Sequence, residues 1–510
     1  MSGGASGAHK AAVHLRRTTA GARSNAVPPT ATTAGNPGTF DLVVLGGGSG
    51  GYSAALRAAQ LGLSVALIEE DKLGGTCLHN GCIPTKALLH AAEVADVARE
   101  GSRLGVRTAL DGIDMAGVHA YKDSVVAGLH KGLRSLIASR DVTFVTGHGT
   151  LVAPGVVEAG GVRYSGRHVV LATGSYARTL PGLEIGDRVI TSDQALTLDH
   201  VPDSVVVLGG GVIGVEFASV WRSFGADVQI VEALDHLVPS EDVALSTALE
   251  RAFRKRGIGF TLGDRFAEVK RSDDGVRVTL ESGRTFDADL LLVAVGRGPR
   301  TADLGFEAAG VRLERGFVVT DERLRTGVTT PDGGHVWAVG DIVPGLQLAH
   351  RGFAQGIFVA ESVAAASGVA PDASAPGLGE PLPVDETTIP RITYCEPEVA
   401  SVGVTQARAE DLYGADAVET LEYNLAGNGR SRILGTTGFA KLVRRKDGPV
   451  VGMHLIGSRV GELIGEGQLI VGWEAFPEDV ASLVHAHPTQ NEALGEAHMA
   501  LAGKPLHAHN

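Results

Sequence analysis

The segment TFDLVVLGGGSGGYSAALRAAQLGLSVALIEED (39–71) opens on DLVVL, an apolar run without the polar alternation of a half-buried strand. Such a run fits a strand buried on both faces, as in a parallel sheet covered by helices. A glycine turn follows, then the helix-forming SAALRAAQL, which Gly62 is placed to end, then a second strand in SVALIEE. The same order recurs in SVVVLGGGVIGVEFASVWRSFGADVQIVEA (204–233), with Gly225 in the terminating role. Two strand–helix–strand units so far apart predict two nucleotide-type domains rather than a short-period repeat. Three further apolar runs, VRYSGRHVVLATGS (162–175), RTFDADLLLVAVGRGP (284–299) and HVWAVGDIV (335–343), add strands. A Pro/Ala/Ser/Gly-rich stretch from Ser367 to Pro383 reads as a linker. Beyond it, strand patterns (TTIPRITYC, TGFAKLVRR, VVGMHLIGS) alternate with helical ones (GELIGEGQLIVGW, NEALGEAHMALAG), which predicts a separate α+β unit.

The glycine turns carry candidate chemistry. Gly46, Gly48 and Gly51 form G-x-G-x-x-G between a strand and a helix. The first allows the tight turn, the second lets a pyrophosphate approach the backbone, and the third permits close packing of helix on strand. The helix N-terminus then offers N–H groups to the anion. Glu69 closes the second strand, placed to bind a ribose hydroxyl. Gly209, Gly211 and Gly214 repeat the fingerprint, with Glu232 in the place of Glu69; each acid lies 23 residues after its first glycine. A carboxylate there accepts from a ribose diol and repels a 2′-phosphate, and ALDHL (233–237) holds no arginine. The second site therefore reads as NAD rather than NADP. Two dinucleotide sites in one chain suggest one bound FAD and one exchangeable NAD. The expected fold class is α/β: two Rossmann-like three-layer domains plus a C-terminal α+β domain.

Bulk properties narrow the setting. A chain of 510 residues allows three or four domains at roughly 150 residues each. Net charge is −13 with no basic stripe in the body of the chain, which argues against a nucleic-acid partner. The most apolar stretch (204–221) carries a glycine cluster and Glu216, which argues against a membrane span. Three cysteines make no secreted disulfide framework, so a reducing compartment, the cytoplasm, is expected. Residues 1–40 lack Asp and Glu but include Lys10, Arg16, Arg17 and Arg23. They suit a disordered tail or an organellar transit peptide, which would place the protein in a matrix instead.

GGTCLHNGCIPTK (74–86) holds Cys77 and Cys82 five positions apart. A metal clamp wants further ligands at short spacing, and only His79 lies nearby. A structural disulfide closing so small a loop would add little stability and would be reduced in a cytosol. A redox pair is the third reading: IPTKALLHAAEVADVA is helix-like, so Cys82 sits at or just before a helix N-terminus, which favours a thiolate. Lys86 lies one helical turn beyond Cys82 on the same face. Spacing alone does not choose among the three. Cys395 reads as a small buried hydrophobe, and His485, His507 and His509 as solvated or packed histidines.

From residue 39 to about 503, these motifs in this order resemble the FAD-dependent pyridine nucleotide–disulfide oxidoreductases. VVLATGS, with Thr173 and Gly174, and LLVAVGRGP, with Gly296, match that family's strand-ending glycine motifs. VWAVGDI matches its second flavin motif, where Asp341 would bind the ribityl chain. LAHRGFAQG (348–356), with Ala349, matches the segment under the flavin ring, and HAHPTQNE (485–492) the C-terminal catalytic box. The resemblance implies that Cys82 is the thiolate facing the flavin in a charge-transfer complex and that Cys77 is the interchange thiol. It implies that Lys86 pairs with Glu216 near the flavin. It also implies that His487 is the general acid/base oriented by Glu492, both supplied across a homodimer interface. An imidazole suits that task because its pKa lies near operating pH. His79, Asn80 and Thr85 depart modestly from the commoner motif, which touches fine tuning rather than chemistry.

Within the family, mercuric reductase and the large thioredoxin reductases would carry a C-terminal redox pair, and no cysteine follows Cys395. Glutathione-type reductases favour NADP, and soluble transhydrogenases lose the second cysteine. The remaining branch oxidises protein-bound dihydrolipoyl groups with FAD and NAD. Its partners are the lipoyl domains of a 2-oxo acid dehydrogenase or glycine-cleavage complex. The alternatives are an NAD(P)H-dependent reductase of a small disulfide, or a non-catalytic flavoprotein subunit with no reason to keep all six residues of the set. The expected division is a tail (1–38), an FAD-binding part (39–182), an NAD-binding domain (183–283), a return to the FAD-binding and central part (284–355), and a C-terminal dimerisation domain (356–510).

Overall fold

The computed structural model describes residues 38–368 and 380–507. Almost all of the expected tail, the middle of the expected linker, and His509 lie outside the described residues. The strand Thr39–Leu45 runs parallel to both Val65–Glu69 and Val162–Leu171 at the centre of an eight-stranded sheet. Its side chains alternate between two cores. Leu42 and Val44 pack beneath helices, while Val43 and Leu45 enter a second cluster on the opposite face. Val65 and Leu67 divide from Ala66 and Ile68 in the same way. Because both faces are covered, the stretches 42–45 and 65–68 are apolar throughout and the usual alternation disappears. The covering helices are Ser49–Gln60 and Ala349–Ala366, which pack along one another.

The second sheet has five parallel strands, in the spatial order Ile258–Thr261, Asp227–Val231, Ser204–Leu208, Leu290–Val293, Val189–Thr191. Val205 and Val207 face one core, Val206 and Leu208 the other. An antiparallel three-stranded sheet (Phe266–Ser272, Gly275–Leu280, Thr285–Ala288) branches from it. The run 284–299 thus splits into three strands. Thr285–Ala288 joins the small sheet, Leu290–Val293 joins the parallel one, and Arg297–Pro299 pairs antiparallel with Ser175–Ala177. Two expected boundaries differ from this architecture. The second unit extends past 283, since Leu290–Val293 completes its sheet. The helix Ala349–Ala366 belongs with the first unit, because its buried side is matched to Ser49–Gln60 rather than to C-terminal residues.

The last unit is a five-stranded antiparallel sheet with the helices Val460–Gly472 and Glu492–Leu501 packed on it. The 24-residue helix Met115–Ala138 has no counterpart among the expected elements; only Lys122 and Ile137 are buried, so no apolar stripe marks it. No described helix is long and apolar enough to cross a membrane.

Units two and three meet through buried charge. Lys441 Nζ, on the last sheet, donates to Asp242 Oδ1 at 2.8 Å, and the two side chains are 5% and 2% exposed. Asp242 also caps the helix Val243–Arg256 through the Ala244 N–H and accepts the Gln406 N–H. Burial opposes its charge, but the Lys441 bond and these N–H groups outweigh that and hold its pKa low. Lys441→Met leaves a buried carboxylate without its counter-charge and should cost about 3 kcal/mol, read as a lower denaturation midpoint. Asp242 has a depressed folded pKa, so the pair's contribution is present above the ordinary carboxylate range. The gap between the variant and the native protein should close as pH falls through that pKa.

Candidate active site

The two glycine loops fold alike because their neighbours leave no alternative. Gly46 and Gly209 have φ of +105° and +111°, and a side chain on either would meet the carbonyl of Ala172 or Ala294. Gly51 and Gly214 lie so close to the first glycine's carbonyl that a Cβ would approach to 1.8 and 1.9 Å. The middle glycines differ: a Cβ on Gly211 would meet nothing within 4 Å beyond its chain neighbours, and one on Gly48 only the Gly75 Cα, at 3.9 Å. Backbone N–H groups at each helix start therefore border free space, the cradle a pyrophosphate needs. Each loop is pinned by its acid. Glu69 Oε2 accepts the Gly47 N–H and Glu232 Oε2 the Gly210 N–H, both at 2.6 Å.

One cavity of about 1110 Å³ joins both cradles. Gly48, Gly174, Asp341 and Ala349 line it on one side, and Gly209, Gly211, Glu232 and Gly296 on the other. Cys77, Cys82, Lys86 and Glu216 lie on the same surface. Gly46, Gly51, Glu69 and Gly214 shape the loops without lining the cavity. The Thr173 hydroxyl is directed to the Arg300 carbonyl at 2.5 Å. The donor set fits FAD and NAD: two open glycine cradles, each with a carboxylate at the second strand's end, and a third carboxylate, Asp341, on the cavity wall.

Cys77 sits on the short helix Gly75–His79, and Cys82 is the first residue of the helix Cys82–Glu100. Both are present as thiols. The hydrogen bond between them, helped by Lys86, pulls Cys82 down to about 7. The same bond and burial push Cys77 well up. The pair is thus polarised, with the negative charge on Cys82. Lys86 Nζ lies 2.9 Å from both oxygens of Glu216, which is buried on the helix Val212–Phe224. Glu216 also accepts the Tyr394 N–H at 2.9 Å, and the Tyr394 ring lies 4.9 Å beneath the lysine nitrogen. Burial works against the ammonium charge, but Glu216 outweighs it and raises the Lys86 pKa. Tyr394 is a site residue that the sequence did not single out. Its motif, TYCEPEVASVG, drew attention only to Cys395, which is buried, with its thiol directed to the Pro397 carbonyl.

His487 and Glu492 meet each other but not the cysteines. His487 Nδ1 is 2.8 Å from Glu492 Oε1, and Glu492 Oε2 accepts the Thr489 N–H at 2.8 Å. That N–H, then His487, lowers the Glu492 pKa. The His487 side chain is 79% exposed and lies outside the cavity. His485 pairs with Glu466 and His507 with Glu496, and among the described residues no cluster of three or more metal-ligating side chains occurs.

A family model described as pyridine nucleotide-disulphide oxidoreductase matches residues 40–356, and that family's dimerisation domain matches residues 389–498. The dihydrolipoyl dehydrogenase of Bacillus subtilis is 37% identical, over 92% of this chain and 99% of its own. The mitochondrial dihydrolipoyl dehydrogenase of Pisum sativum is 35% identical, over 92% of each chain. Among solved structures, LpdA of Mycobacterium tuberculosis superposes with a TM-score of 0.81 at 29% identity, covering 90% of this chain and 99% of that one.

The charge pattern around Cys82 makes a signed prediction. Lys86→Gln removes the cation nearest the sulfur and should move the alkylation midpoint of Cys82 up by at least about one pH unit. Glu216→Gln leaves the buried Lys86 without the carboxylate that keeps it charged, so the midpoint should again move up. Peptide mass spectrometry after iodoacetamide pulses at graded pH reads both.

Proposed function

The chain belongs to the pyridine nucleotide–disulphide oxidoreductases, and we propose that its catalytic centre joins Cys77, Cys82, Lys86 and Glu216 with His487 and Glu492 of the partner subunit. Its activity is that of a dihydrolipoyl dehydrogenase, with FAD and NAD as cofactors. The dimerisation domain at 389–498 makes the working unit a homodimer. The observation that carries the site reading is the shared cavity: a polarised cysteine pair, a buried ion pair and two dinucleotide cradles on one surface.

The residues divide the work. In the oxidised enzyme Cys77 and Cys82 are joined. His487 Nε2 takes the proton of one substrate thiol, while Glu492 on Nδ1 fixes the ring and steadies its charged form. The substrate thiolate attacks Cys77 Sγ; a mixed disulfide forms, and Cys82 leaves as a thiolate. The second substrate thiol then attacks the substrate sulfur of that mixed disulfide, closing the lipoyl ring, and its proton passes to the departing Cys77, leaving a Cys77 thiol, a Cys82 thiolate and a charged His487. Cys82 is the better leaving group because its thiolate is the stabilised one. Gly48, Gly174, Asp341 and Ala349 would hold FAD, and Gly209, Gly211, Glu232 and Gly296 would hold NAD, which together would supply an acceptor for the electron pair of the two cysteines. Lys86 holds positive charge beside Cys82 throughout, and Glu216 keeps that charge in place.

The proposed partners are lipoyl domains of a 2-oxo acid dehydrogenase or glycine-cleavage complex. Glu232, fixed by the Gly210 and Leu234 N–H groups, faces the cavity with no arginine in 233–237, which supports NAD over NADP.

His487→Gln should lower dihydrolipoamide oxidation by roughly 10²–10⁴-fold while NADH-driven reduction of an artificial electron acceptor persists, because only the first needs a proton carrier at the thiol. Equal loss of both activities counts against the role. Stopped-flow mixing should show NADH reducing the bound flavin far faster than NADPH; the reverse order removes the cofactor reading.

A further inference from the structure

We propose that Arg297 and Ser175 form a directional relay that orients the Asp341 carboxylate, making Arg297 a positioning residue for the flavin that Asp341 would hold. The inference rests on reading Asp341 as the acid that holds the flavin's sugar chain. Arg297 begins the strand Arg297–Pro299, which leaves the second sheet and pairs with Ser175–Ala177 of the first unit. Its Nε donates to Ser175 Oγ at 2.8 Å, and Nη2 donates to the Ser175 carbonyl at 2.9 Å. A guanidinium can only donate, so Ser175 Oγ must accept there. Its single proton is then free for Asp341 Oδ2, 2.5 Å away.

The chain of bonds has one direction: guanidinium to hydroxyl to carboxylate. It fills Oδ2 and leaves Oδ1 without a hydrogen bond among the described residues, on a side chain that lines the same cavity as Arg297. A ligand hydroxyl therefore meets one preset acceptor oxygen rather than a rotating carboxylate. Burial works against the guanidinium charge, while Asp193, Asp341 and Cys82 favour it. The fork is what lysine cannot reproduce, because holding both oxygens of one serine takes two donors at fixed spacing.

The test compares FAD retention in holoenzyme carrying Arg297→Gln, Arg297→Lys, Ser175→Ala or Asp341→Asn, followed by release of FAD fluorescence. Arg297→Gln and Ser175→Ala should each weaken FAD binding by about tenfold, the loss of one charge-assisted bond. The double variant should lose little more than either single, since both break one path. Arg297→Lys should fall between. Excess free FAD should restore the thermal midpoint of each, as mass action requires when only affinity has changed. A lowered midpoint that FAD does not restore overturns the proposal by making the relay merely structural. Native retention in the Arg297 and Ser175 variants, with loss in Asp341→Asn, overturns the relay alone. Native retention in Asp341→Asn overturns the reading of Asp341, and the relay with it.

Discussion

Lys86 bonded to both oxygens of Glu216 is the interaction on which the site depends. Lysine and glutamate come from helices of different units, and Tyr394, from a third, covers the ammonium and donates its N–H to the same carboxylate. Three units, which also share an apolar cluster through Leu88, Val205 and Cys395, are thus registered at a single charge contact. A buried ion pair is weak evidence for net stability, because desolvation offsets most of the attraction. Its use here is local. It keeps a cation beside Cys82 in a place where burial alone would drive the lysine neutral. The hydrogen bond between the two sulfurs sets them apart, and that cation adds to the stability of the Cys82 thiolate, the proposed leaving group in disulfide exchange.

The two dinucleotide sites show how little local construction decides chemistry. Both use a strand, a positive-φ glycine, a helix start and an acid bonded to the residue after the first glycine. What distinguishes them is where the chain goes next. After the first cradle it runs into the cysteine helices. After the second it runs into the helix that buries Glu216. One cavity then holds both ends of an electron path because the helices Cys82–Glu100 and Val212–Phe224 pack together.

Much of this was legible in the sequence, for a reason visible in the strands. Strands covered on both faces print as solid apolar runs, and glycines forced by backbone contact cannot drift, so DLVVLGGG and SVVVLGGG announce themselves. The cysteines and Lys86 lie within one short segment, where helical spacing reveals the face that Cys82 and Lys86 share. Tyr394, Ser175 and Arg297 were not legible, because each acts through a partner more than a hundred positions away and no spacing rule links them. The run 284–299 misled for another reason. Its apolarity is continuous while its three parts serve three different sheets, and only pairing partners separate them. The exposed helix Met115–Ala138 left no stripe to read.

His487 presents the opposite economy. Its ring is already aligned by Glu492, and Glu492 by the Thr489 N–H, yet it stands exposed at the surface of one chain and away from the cysteines. An oriented imidazole with nothing to act on is half of a site. The loop that carries it is tied down as firmly as a core element: Asn428 Nδ2 donates to the Thr489 carbonyl, Gln490 Nε2 to the Ser458 carbonyl, and Asn491 Nδ2 to Glu466. These bonds restrict motion of a surface dyad before any second subunit arrives, which lowers the ordering cost of completing the site. The matched dimerisation domain contains the dyad whole. On the proposed reading, separating the acid/base from the sulfurs in this way makes thiol chemistry conditional on assembly, while the cavity that carries both dinucleotide cradles lies within one chain.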